Sequence, residues 1–203
     1  KACVDSSRDH GYHEHCRIAV LKLYVTVGMC HNNCAGIGHR IKYRAGIGGN
    51  TMYQKIIEYA EALDKISRER RRDFHRYPET AWLEMRTSAV IAKVLTELGY
   101  EVLTGKDVCL ESSRLGVPSS EELKEHAERA LLQGAPAEYL TEEMRAGFTG
   151  VIGILRCGEG PVTALRFDID ALGLTEDENV NHRPFAEGFA SRNPGMMHGC
   201  GHD

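Results

Sequence analysis

No apolar stretch in the 203-residue sequence approaches the roughly 20 residues that a membrane-spanning helix needs. The longest candidate, Ile18 to Val27, is too short, and Lys22 interrupts it. Basic surface is equally scarce. The net charge is -4, and the one basic run, Arg68 to Arg72, contains Glu69. That excludes the basic face a nucleic-acid binder requires and leaves a solvated helix face as the reading of the run. The residues before Ile18 are acids and histidines rather than the basic start of a secretory signal. Seven cysteines without such a signal do not read as a disulfide framework. The expected location is the cytoplasm, with neither membrane nor nucleic acid as a partner.

What is present suits one ordinary domain with a core. Apolar residues make up 42% of the chain and charged residues 27%. The pattern changes at Met52. Residues 1–51 hold Cys3, Cys16, Cys30 and Cys34, half of the ten histidines, one strand-like stretch from Ile18 to Val27, and no helical period. The chain begins with Lys1, and the change in periodicity predicts that translation starts at Met52, with an atypical tail as the alternative. A rival reading makes His13, His15, Cys16, Cys30 and Cys34 a zinc site. Thiolate and imidazole suit zinc, but the spacing lacks the two close pairs of structural sites.

From Met52 onward the sequence is regular. Ile56, Ile57, Tyr59, Ala60, Leu63 and Ile66 recur at helical spacing and predict a helix over 53–76, closed by Pro78. A second helix is predicted over 86–98, with Val90, Ile91, Val94, Leu95 and Leu98 on its apolar side and Gly99 ending it. A short strand over 100–103 follows. Ser119 or Ser120 caps a third helix running to about Gln133, which Gly134 and Pro136 break. A shorter helix is expected over 137–146. Two strands, 150–156 and 162–167, are predicted as a hairpin around Gly158-Glu159-Gly160, buried on both faces by helices. The fold class is α/β.

Three segments carry chemistry. Arg71-Arg72-Asp73-Phe74-His75-Arg76-Tyr77-Pro78-Glu79 ends the first helix. Leu165-Arg166-Phe167-Asp168-Ile169-Asp170-Ala171-Leu172 ends a predicted strand. Met197-His198-Gly199-Cys200-Gly201-His202-Asp203 comes last. Cys200 and His202, two apart in extended chain, point to the same side. Their thiolate and imidazole suit zinc or a similar divalent ion, and Gly201 lets the backbone bend around one. A buried cysteine beside a surface histidine is the competing reading. Asp168 and Asp170 share a face if the strand continues to Asp170, at the carboxyl end where α/β proteins place sites. The competing reading there is a solvated strand end.

Taken together and in this order, the three segments resemble the aminoacylase/carboxypeptidase group of metallo-amidohydrolases. The likeness covers about residues 52–203. The helical insert after Glu111-Ser112-Ser113-Arg114, at about 106–147, and the stretches Asn181-His182-Arg183-Pro184-Phe185 and Gly188-Phe189-Ala190-Ser191 resemble the branch acting on p-aminobenzoyl-glutamate. The resemblance implies the N-terminal part of a three-layer, zinc-peptidase-like catalytic domain whose sheet is incomplete. It implies two divalent metals per complete site, manganese or zinc, and a small N-acyl amino acid as substrate. It also implies a homo-oligomer or a paired B-type subunit. Cys200 and His202 become metal ligands by resemblance, and Asp170 the acid that orients a ligand. Asp168, His198 and Asp203 fall in the surrounding shell, and the Arg-Asp-Phe-His segment packs nearby without a chemical role. The family's general-base glutamate, two further histidine ligands and smaller domain match nothing in this sequence. The chain alone is therefore expected to be inactive. The alternatives are a non-catalytic metal-binding or interaction protein and a degenerate gene product.

Overall fold

The computed structural model describes residues 52–157 and 162–201. The strand-like stretch and cysteine/histidine constellation of residues 1–51, the turn Gly158-Glu159-Gly160, and His202 and Asp203 lie outside the described residues.

Helix α1 runs from Met52 to Arg76. Its exposed face carries i,i+4 contacts such as Gln54 to Glu58 and Lys65 to Glu69. The helix stops where Pro78 drives the residue before it out of helical geometry. The period predicts the helix, but the apolar side is not buried among the described residues. Ile56, Ile57, Tyr59, Leu63 and Ile66 are all exposed. The basic run is likewise less solvated than predicted at one position. The Arg72 guanidinium lies 4.5 Å from the centre of the Phe189 ring and pairs with Glu187.

Helix α2, Met85–Glu97, begins without a side-chain cap from its own N-cap residue, Glu84. Glu79 supplies the missing acceptor from five residues upstream. Its carboxylate takes the amides of Arg86 at 3.0 Å and Thr87 at 2.8 Å. A negative group at a helix N-terminus satisfies free N–H groups and complements the dipole. The end matches expectation. Gly99 adopts φ +81, and the Tyr100 amide reaches back to the Leu95 carbonyl at 3.0 Å.

The buried side of α2 differs from the predicted one. Met85, Ser88, Ala89, Ala92 and Leu95 are buried. Val90, Ile91 and Val94 are half-buried, and Leu98 is exposed. The reason is helix-on-helix packing. Helix α3, Ser120–Leu132, brings Ala127 and Ala130 to the same core as Ala89 and Ala92. Alanines let two helix backbones approach closely, so the small-residue side turns inward. Leu83, Leu140 and Met144 complete that core, with Val102 and Val151 against it. Helix α3 has the predicted cap, the Ser119 hydroxyl accepting from the Glu122 amide at 3.2 Å. The expected helix over 137–146 shrinks to α4, Glu142–Arg145, capped by Thr141.

The sheet is where the sequence misleads most. Strand β1, Glu101–Thr104, pairs antiparallel with β2, Val151–Ile154, in the register Glu101 to Ile154 and Thr104 to Val151. The predicted hairpin between 150–156 and 162–167 does not form. Residues 162–167 make no ladder among the described residues, and 162–166 are exposed. A run becomes a strand only when a neighbour takes its backbone hydrogen bonds, and among the described residues no strand pairs with 162–167. The described fold is thus mixed helix and sheet, with α2 packed on a two-stranded sheet. No described helix is long and apolar enough to cross a membrane.

Candidate functional site

The three chemical segments, far apart in sequence, are joined by backbone hydrogen bonds. The Ala171 amide donates to the Glu79 carbonyl at 2.7 Å, within a parallel bridge between Thr80 and Ala171. Leu172 and Met197 form an antiparallel bridge, exchanging amide-to-carbonyl bonds of 2.9 and 3.0 Å. Isolated bridges therefore join the segments where the predicted strand does not form. Asp170 and the segment leading to Cys200 lie on either side of the second bridge.

Asp170 is half-buried, and its charge raises the pKa of Glu84. Asp168 does not share a strand face with it, because no strand is present there. It pairs with the exposed Arg166 at 2.5 Å. His198 is buried, and Cys200 is exposed at a turn of glycines, with Gly201 at φ +79. The reading of Cys200 as a buried cysteine is therefore overturned.

Residues without an assigned role cluster beside this segment. His75 is 5% exposed, and its ring centre lies 6.3 Å from that of His198. The Nε2 atoms of His75 and His182 each lie 2.8 Å from the same Glu176 oxygen, Oε1. The other Glu176 oxygen accepts the Ser191 amide. Burial works to raise the Glu176 pKa, but the Ser191 amide, His75 and His182 outweigh it and hold it below the usual value. The Phe189 ring meets His75 edge-on at 5.5 Å. His75 thus packs beside the ring of His198. Its position next to Phe74, just before Pro78, was the only sequence signal. Glu176 had none, and its partner on α1 is 101 residues away.

A second group of acids lies under the first bridge. Glu79 is fully buried, and burial raises its pKa against the hydrogen bonds from Thr87 and Arg86. Burial also pushes Glu84 up to about 7, despite a 2.7 Å hydrogen bond from the Thr149 hydroxyl. Arg86 is a buried cation nearby. It pairs with Asp73 at 2.8 Å, donates to the Gln133 carbonyl at 2.9 Å and stacks 4.5 Å from the Tyr77 ring centre.

Among the described residues, no three His, Cys, Asp or Glu side chains converge as metal ligands. The donor chemistry of Cys200 with His202 fits a divalent ion, and closing a site around them takes further donors.

No family model matches the chain. It is 49% identical over 134 residues to the A-type subunit of p-aminobenzoyl-glutamate hydrolase from Escherichia coli strain K12, a match covering 66% of this chain and 30% of that protein. It is 46% identical over 147 residues to the indole-3-acetyl-aspartic acid hydrolase of Enterobacter agglomerans, covering 72% of this chain and 34% of that one. The crystal structure of an aminobenzoyl-glutamate utilization protein from Klebsiella pneumoniae is 40% identical, with a TM-score of 0.47, over 49% of this chain and 25% of that chain. The chain spans about a third of the length of the curated relatives named here. Over the matched residues it is similar to these amidohydrolases, among them the A-type chain of p-aminobenzoyl-glutamate hydrolase.

Proposed function

We propose that the chain forms part of the catalytic domain of a metal-dependent amidohydrolase that cleaves p-aminobenzoyl-glutamate or a related N-acyl amino acid. The observation that carries this reading is the pair of backbone bridges, Thr80 with Ala171 and Leu172 with Met197, which gathers the three family segments. Identity to two hydrolases of aryl- and indolyl-acyl amino acids supports the substrate class.

In this reading Cys200 and His202 are metal ligands and Asp170 orients a ligand. The charge of Asp170 is felt at Glu84, which burial holds near neutrality. Cys200 and His202 would contribute to holding divalent metal, manganese or zinc, two ions per complete site, which would supply Lewis acidity toward the scissile carbonyl and water. In the same reading Asp168, which pairs with Arg166, His198 and Asp203 belong to the shell around the ligands. The products are the aromatic acid and glutamate. By family resemblance, the general base and remaining ligands come from parts of the relatives that this chain does not match, within the three-layer domain. On its own, the 203-residue chain then binds metal weakly and does not turn over. Because the Escherichia coli relative is named as the A-type member of a hydrolase, a B-type subunit is the natural partner.

The test is release of p-aminobenzoate from p-aminobenzoyl-glutamate by the protein at its full translated length, with manganese or zinc. Turnover that chelator and Cys200→Ala both abolish is the expected result. Metal-independent turnover, or none with either ion, overturns the reading.

A further inference from the structure

The insert helix α3 reaches the segment that carries Cys200. Gln133, at the end of α3, donates from Nε2 to the Asn193 Oδ1 at 2.5 Å, and Asn193 Nδ2 returns a longer contact to Gln133 Oε1 at 3.4 Å. Asn193 is 2% exposed, and its Nδ2 also donates to the Pro78 carbonyl at 2.7 Å. One buried amide therefore connects the insert and the first chemical segment to the chain just before Met197, where the last one begins. Arg129, one helical turn before Gln133 and on the same side of α3, donates to the Met196 sulfur at 3.7 Å.

Asn193 passes this anchoring along the chain. Its carbonyl accepts the Met196 amide at 3.1 Å, and Met197 is bridged to Leu172. Three residues later comes Cys200, between two glycines and exposed. A ligand in glycine-rich, exposed chain has little order of its own, so its geometry depends on where the preceding residues are held.

We propose that the insert positions the Cys200 segment for metal, with Gln133 on α3 as the positioning residue and Asn193 as its receiver. This rests on the reading of Cys200 as a metal ligand. The insert is then a support for the site rather than a surface addition. Its position sets how well the thiolate is presented, while the Arg86 to Gln133 bond, which uses the backbone carbonyl, survives any change of the Gln133 side chain.

The experiment uses the full 203-residue chain, cobalt(II) as the probe, and Gln133→Ala, Asn193→Ala and Cys200→Ser variants. The thiolate-to-cobalt absorption band that Cys200→Ser removes reports this ligand apart from the other cysteines. Hydrogen exchange at the Met196 and Met197 amides reports the segment without metal. Gln133→Ala is expected to weaken the Cys200-dependent cobalt affinity about tenfold and to speed exchange at Met196 and Met197, with exchange in α2 unchanged. Leu132→Ala, on an exposed side chain next to Gln133, leaves both readouts unchanged. Asn193→Ala is expected to act in the same direction, and Gln133→Ala decides the matter if Asn193→Ala does not fold. Unchanged exchange at Met196 and Met197 in Gln133→Ala overturns the proposal. So does a cobalt affinity within about twofold of the parent. If the parent shows no Cys200-dependent band, the ligand assignment fails, and the exchange rates still decide whether Gln133 positions the segment.

Discussion

His75 Nε2 lies 2.8 Å from Glu176 Oε1, joining the last turn of α1 to the segment between Asp170 and Cys200. Both side chains are almost fully buried, at 6% and 5% exposure. A buried carboxylate is costly unless its oxygens are matched, and here His75, His182 and the Ser191 amide match them.

Glu176→Gln should therefore cost about 2 kcal/mol at neutral pH, because an amide cannot accept on both sides. The pKa of Glu176 is lowered from 4.5, so its contribution is complete above that pH and is lost as pH falls through the lower folded value. The variant's stability should accordingly fall less steeply than the parent's below about pH 4.5, in urea unfolding monitored by circular dichroism. Parallel acid limbs for the two proteins would contradict this.

Glu84 has the opposite sign. Burial raises it from 4.5 to about 7, so the folded state holds a proton that the unfolded state has released. Stability should decline as pH rises from 4.5 toward 7 and then level off. Glu84→Gln keeps an acceptor for Thr149 and removes this decline. At pH 8 the variant should be the more stable protein, by at most about 3 kcal/mol. Thermal melts of both proteins across that range provide the check, and a decline that persists in Glu84→Gln would assign it to another group.

Glu79→Ala should remove the acceptor for two α2 amides. The expected loss is about 2 kcal/mol, at the upper end for a helix cap because the site is fully buried. Glu79→Gln retains one acceptor and should lose less. The ranking of the two midpoints in urea tests the capping role, and equal losses would point to packing instead.

The exposed apolar side of α1 should drive self-association. Ile56 is 56% exposed and Leu63 50%, with Tyr59 between them. Such a stripe is a contact site for other apolar surfaces. Lysine at both positions, Ile56→Lys with Leu63→Lys, should raise the monomer fraction in sedimentation velocity without altering helix content. No change in the size distribution would show that association, if present, uses another face.

Much of the local structure was legible because its causes are local. The α1 period, the Gly99 ending of α2 and the Ser119 cap of α3 each depend on residues within a turn or two. The family segments were also legible, since their residue types and order need no coordinates. The wrong strand partner has a physical explanation. β-Propensity reports fit to a half-buried pleated surface and does not name the partner, so the run at 162–167 read as well as β1 did. Only the fold brought 101–104 beside 151–154.

The sequence by itself determined the course of α1, α2 and α3, the glycine end of α2, the serine cap of α3 and the chemical segments, because propensity, capping and motif spacing act over a few residues. The tertiary structure alone decided which side of α2 is buried, which carboxylate caps it and that Gln133 holds Asn193. Those outcomes depend on close approach of alanines, on burial of Glu79 and on an amide pair 60 residues apart, and distance along the chain carries no trace of them.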